Sequence, residues 1–103
     1  MSNEYRVIVA DEVARMLVSH VSFLAQVSIE AADRLIESFE NAANSLKMMP
    51  QRCPWIDTEF IPKNAYRYLV FEKRYLIVFQ IRDDIVFVDY VVDCRQDYQW
   101  LIR

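Results

Sequence analysis

The 103 residues carry 12 Lys and Arg against 15 Asp and Glu, a formal charge of −3, and 54% of them are apolar although the chain holds no glycine. Typical soluble domains reach about 45–50% apolar with glycine counted in, so the excess predicts apolar surface kept for a partner. Loops that cradle phosphate need positive φ and close backbone approach, so a glycine-free chain has neither a P-loop nor a dinucleotide fingerprint.

The size is that of one domain spanning residues 1–103, with a single core. No window approaches the roughly 18 apolar residues of a membrane span. The N-terminal MSNEYRVIVA has neither the basic flank nor the long apolar run of a secretory leader, and a cytoplasmic protein is expected. Cys53 and Cys94 have no metal-ligand spacing and read as small buried hydrophobes; neither a metal nor a cofactor is expected.

In chain order, Tyr5 to Ala10 is β-branched and predicts a strand, ended by Asp11, which is placed to cap a helix. From Glu12 the period turns helical, with Val13, Leu17, Val21 and Leu24 as a stripe that Met16 and Phe23 widen. Ser28 is the expected N-cap of a second helix. Its apolar face is Ala32, Leu35, Ile36, Phe39, Ala42, Ala43 and Leu46, and Glu30 precedes Arg34 in the favourable i, i+4 order. Pro50 predicts a stop at Met49. Residues 50–65, PQRCPWIDTEFIPKNA, hold all three prolines and predict a loop. Tyr66–Phe71, Tyr75–Ile81 and Ile85–Val92 then read as strands joined by three-residue connections, short enough to force antiparallel hairpins. YLIVFQI is apolar on both faces and predicts a central strand.

All of the negative charge lies in the first 51 residues, with four basic and seven acidic side chains; the remainder balances at eight and eight. Nucleic-acid binders owe affinity to a surplus of Lys and Arg, and a pI near 5.1 has the wrong sign for that. Lys63, Arg67, Lys73, Arg74, Arg82 and Arg95 could still form a local basic patch, although Lys73, Arg74 and Arg82 read more simply as solvated hairpin tips.

Three stretches together carry a resemblance: YRVIVADEVARMLVSHVSFLA, AADRLIESFENAANSLKMMP and YLIVFQIRDDIVFVDYVVDCRQDYQWLI. Their order resembles the RelE/ParE superfamily of toxins from bacterial type II toxin-antitoxin modules. The resemblance implies an α+β fold of order β-α-α-β-β-β, with two antiparallel helices packed on one face of a twisted, mostly antiparallel sheet. The other face would engage target or antitoxin, and a cognate antitoxin is the implied partner, with room left for a homodimer. One branch of the superfamily poisons DNA gyrase by protein binding; the other cleaves mRNA on the ribosome.

Metal-free attack of a 2′-hydroxyl on phosphate needs a proton acceptor, a donor and cations, each acid or base giving roughly 10²–10⁴ in rate. The supply here is thin. His20, the sole histidine, sits mid-helix far in sequence from the basic strand residues and reads as a packing or surface residue. In the family's C-terminal motif, Arg95 matches a recurrent arginine and Tyr98 a recurrent aromatic, while Asp97 stands where some nuclease members have histidine. An aspartate, with its reference pKa of about 3.9, is ionised near neutrality and would repel phosphate. The tail therefore looks closer to the gyrase-poisoning branch. On that reading Lys63, Arg67, Arg95, Asp97, Tyr98 and Trp100 contact target or antitoxin, and a nuclease would have to use Arg67, Arg95 and Tyr98 with Lys63 assisting. Arg95 is expected to pair with Asp93 or Asp97 and pin the tail.

Overall fold

The computed structural model describes residues 4–57 and 62–94. Strand β1 (Arg6–Val9) leads into helices α1 (Asp11–Ala25) and α2 (Ile29–Ser45), and β2 (Arg67–Phe71), β3 (Tyr75–Arg82) and β4 (Ile85–Asp93) follow. The sheet order is β1-β4-β3-β2. The two hairpins are antiparallel, and β1 lies parallel to β4, with Arg6 beside Ile85 and Val9 beside Val88. The architecture is thus the expected α+β one, with a mixed, open sheet.

Both faces of the sheet bury apolar side chains. Toward the helices point Tyr75, Ile77 and Phe79 of β3 and Val86, Val88 and Val91 of β4, packed against Leu35, Phe39 and Ala43 of α2, Leu46 at its C-cap and Val13 of α1. Leu17, Val21 and Leu24 extend the α1 stripe at helical spacing. On the opposite face Ile56, Leu76, Val78 and Val92 form a second, smaller cluster walled by Tyr66, Tyr68, Tyr90 and Cys94. YLIVFQI feeds both clusters, as its pattern predicts, and shares the middle of the sheet with β4.

The parity of β4 changes along its length because Phe79 pairs with Val88 while Val78 pairs with Tyr90, leaving Asp89 as an extra, bulged residue. Without it, Val86 and Val88 could not share a face with Val91. His20 packs edge-on against Tyr75 with ring centroids 5.4 Å apart, at the end of an aromatic chain through Phe71 and Phe39.

Several local expectations are corrected. Ala10, in extended geometry and without a side-chain bond, occupies the N-cap of α1, and Asp11 is already helical. There its charge favours the helix N-terminus through the dipole instead of a cap bond. Ser28 does cap α2, its hydroxyl accepting from the Ala31 N–H at 3.1 Å. That helix ends at Ser45, four residues before Met49. Tighter turn bonds carry the chain through Met48, Met49 adopts φ 50°, and Pro50 starts a 3₁₀ turn to Arg52. Arg52 reaches back to the Met48 carbonyl at 2.8 Å and the Ser45 hydroxyl at 3.1 Å, satisfying groups that the helix end leaves open. Arg34 faces Glu72 at 3.5 Å across the fold instead of Glu30 along the helix.

The apolar surplus surfaces in more than one place. Phe23 is exposed and does not join the α1 stripe, Val27 and Ile29 are exposed with it around the helix-helix turn, and Val18 is exposed in the middle of α1.

Lacking glycine, the chain places Met49, Asn64, Glu72, Lys73 and Asp83 at positive φ. Asn and Asp tolerate this; the longer side chains are strained by roughly 1–2 kcal/mol each. Glu72 is held by the Ser38 hydroxyl at 2.5 Å, whereas Lys73 is exposed. Lys73→Gly is therefore expected to stabilise the fold by about 1 kcal/mol, read as a higher urea midpoint at unchanged m-value. An unchanged or lower midpoint would mean that the hairpin carries no such strain.

Candidate functional site

Residues 54–56 run along the outer edge of β2. The Tyr68 N–H donates to the Pro54 carbonyl at 3.1 Å, the Ile56 N–H donates to the Tyr66 carbonyl at 2.8 Å, and Trp55 bridges antiparallel to Arg67. This short pairing drops Ile56 onto the second face of the sheet, where it is buried.

Arg67 fastens the arrangement. One guanidinium nitrogen donates to the carbonyls of Gln51 at 3.0 Å and Cys53 at 2.6 Å, and the guanidinium lies 3.8 Å from the centroid of the Trp55 ring. Charge-assisted bonds to carbonyls are among the stronger hydrogen bonds, and the stacked indole adds a cation-π contact. Arg67→Ala should thus loosen residues 51–55 and cost about 2 kcal/mol. Lysine should not rescue it, because it has neither the fork nor the planar face. Urea unfolding followed by tryptophan emission reports both effects. A residue serving only to hold phosphate would leave stability untouched.

Beside this brace the second face opens into a hollow of about 360 Å³, lined by Trp55, Ile56, Tyr68, Val70, Leu76 and Cys94, with Asp57 on its wall. A neighbouring hollow of about 260 Å³ shares Trp55, Ile56 and Asp57 and is closed by Lys63 and Asn64. Val70 is half exposed and Trp55 42% exposed, so the apolar walls are in reach of a partner. Of the residues picked out from the sequence, Lys63 and Arg67 are thereby gathered around Trp55. Arg95, Asp97, Tyr98 and Trp100 lie outside the described residues. The principal walls of the hollow, Val70 and Leu76 among them, were not singled out; their signal was the two-faced apolar pattern of the last strands.

Further along the same face, the bulged Asp89 gathers polar groups. It accepts from the Gln80 amide at 2.7 Å and from the Tyr66 hydroxyl, and Gln80 in turn accepts from the Arg82 Nε at 3.3 Å. Burial, then the negative charge of Asp89, pushes the Tyr66 phenol above its ordinary value. Burial likewise pushes the Cys53 thiol up, against the opposing pull of Arg52 and Arg67. Both groups hold their protons more tightly folded than unfolded. The resulting stability is complete below their unfolded values and is lost as pH rises through the folded ones. The urea midpoint should therefore fall between about pH 8 and about pH 11, and fall less steeply in Tyr66→Phe and in Cys53→Ala. Equal slopes in all three proteins would remove these two groups as the cause.

Among the described residues no trio of His, Cys, Asp or Glu is grouped to hold a metal ion, and no helix is long and apolar enough to cross a membrane.

The family model described as the ParE toxin of the type II toxin-antitoxin system parDE matches residues 7–98. No curated protein matches the chain significantly. Among solved structures, a chain of the chromosomal ParDE toxin-antitoxin system from P. aeruginosa superposes with a TM-score of 0.71 at 15% identity, over 89% of this chain and 98% of that one.

Proposed function

The chain belongs to the family of ParE toxins of type II toxin-antitoxin systems, and on that premise we propose that it acts by protein binding, inhibiting DNA gyrase in the cytoplasm until a cognate antitoxin covers the second face of its sheet. One observation supports this above the others: that face carries an apolar hollow of about 360 Å³ rimmed by exposed Trp55 and Val70. A partner's apolar side chain entering such a hollow gains roughly 25 cal/mol for every Å² of apolar surface withdrawn from water.

The same site is poorly suited to phosphoryl chemistry. Arg67, the described cation on which a nuclease would depend, commits one guanidinium nitrogen to the carbonyls of Gln51 and Cys53 and its face to Trp55, which ties it to the loop. His20 packs against Tyr75 on the helix side of the sheet, across from the hollow. Lys63, Arg95, Asp97, Tyr98 and Trp100 are proposed as contacts to target or antitoxin.

Two parallel assays test the reading: supercoiling by purified gyrase, and integrity of mRNA in a translating extract, each with and without the protein. Loss of supercoiling with intact mRNA is expected. Cut mRNA with normal supercoiling would replace the proposal with a ribosome-dependent endoribonuclease using Arg67, Arg95 and Tyr98. Normal results in both, together with undisturbed growth on induction, would leave a non-toxic interaction module of the same fold.

A further inference from the structure

We propose that the outer edge of β1 is an interface for a second copy of this chain, the two β1 strands pairing antiparallel about a twofold axis at Ile8. Among the described residues β1 lies at the end of the sheet, with β4 on one side only. The Arg6 and Ala10 N–H groups donate to Asp84, just before β4, and to Val88 within it, so by alternation the backbone groups of Tyr5, Val7 and Val9 point away from the sheet. Tyr5 is already served, its N–H donating to the Lys47 carbonyl at 2.7 Å. Val7 and Val9 remain with no such partner among the described residues. The edge is β-branched, without proline or lysine, and Ile8 and Val9 are 39% and 38% exposed. Such an edge is a template for another strand.

Only one register of two identical strands fits. Outward-facing residues must oppose outward-facing residues, which limits the axis to Arg6, Val7, Ile8 or Val9. An axis at Arg6 would set Val7, and an axis at Val7 would set Val9, against Tyr5 of the partner subunit, whose N–H is engaged. An axis at Val9 would set Val7 against Asp11 of the partner subunit, which is helical. With the axis at Ile8, Val7 and Val9 of the partner subunit exchange both their hydrogen bonds, and the symmetric pair does the same. The two Ile8 side chains meet on the second face, beside Phe87, the neighbour of Ile8 in the β1-β4 register. Charge fits as well. Arg6, exposed and in no ion pair among the described residues, opposes Ala10 of the partner subunit and lies next to Asp11 of the partner subunit instead of facing a second arginine. The interface is isologous, so this match occurs twice.

Sedimentation equilibrium of the purified chain, with Ile8→Lys and Ile8→Glu as variants, tests the axis directly. The wild-type mass should climb with concentration from 12.3 kDa toward twice that value. Each variant alone should stay monomeric, because like charges then face one another across the axis, and an equimolar mixture of the two should recover the dimer. Circular dichroism checks that each variant is folded. If either is not, Val9→Pro serves instead: it removes one outward N–H, leaves the bonds to β4, and should also be monomeric. A wild-type chain that stays monomeric at about 1 mM, variants that dimerise as well as wild type, or a mixture that does not would each overturn the proposal, whatever else pairs with the edge.

Discussion

Phe79→Ala is expected to lower folding stability by about 3–5 kcal/mol, the largest effect of any single truncation among the described residues. Phe79 is fully buried in the middle of β3, on the face that receives α1 and α2. Removing its ring leaves a void between two rigid layers, and neither the hydrogen-bonded sheet nor the helices can close it. Its neighbour Val78 is equally buried but points into the smaller cluster beneath Ile56. Val78→Ala removes fewer atoms and opens onto a wall made by a short loop segment, so its cost should be about 1–2 kcal/mol. Denaturant titrations of both variants measure the difference. Equal costs would mean that the two faces are packed with the same rigidity. A domain of this size has roughly 5–15 kcal/mol in total, which places Phe79→Ala near the edge of foldability.

The elements were legible where a period runs long enough to stand out. The α1 stripe, the α2 stripe with its Ser28 cap, and the three-strand meander all follow from spacing, because each must bury one face over two turns or more. What escaped is what depends on a partner distant in sequence. Asp11 has the chemistry of a cap, yet the chain turns from β1 into α1 one residue earlier, at Ala10. Proline at 50 forbids helical geometry in Met49, but the helix stops at Ser45, and Arg52 then ties off its end. The bulge at Asp89 has no local signature at all; it exists because Val86, Val88 and Val91 must all reach the same helices. The site is a similar case. Arg67 and Lys63 stand out as cations in the sequence, but that Arg67 would help fasten residues 51–55, and that Ile56 would cover part of the second face, follows from an edge pairing between Trp55 and Arg67, which lie more than ten residues apart in the chain. The apolar excess announced exposed apolar surface without locating it. Side chains at the α1-α2 turn and the walls of the hollow are equally apolar in composition and differ only in their surroundings.

Those two apolar surfaces can be told apart by one pair of substitutions. Val70→Asp should weaken association with the cognate antitoxin by about 100-fold, close to 2.7 kcal/mol, because closing the hollow would strand a carboxylate among Trp55, Ile56 and Leu76. The free protein should be little affected, since Val70 is already 50% exposed and its side chain can keep an aspartate hydrated. Ile29→Asp makes the same chemical change at the helix-helix turn, at a position 70% exposed, and should leave the affinity within about twofold. Calorimetric titration of each variant with the antitoxin, beside thermal unfolding of each alone, separates loss of contact from loss of fold. If Ile29→Asp proves the damaging change and Val70→Asp the silent one, the antitoxin sits on the helices, and the hollow in the sheet is left to the target.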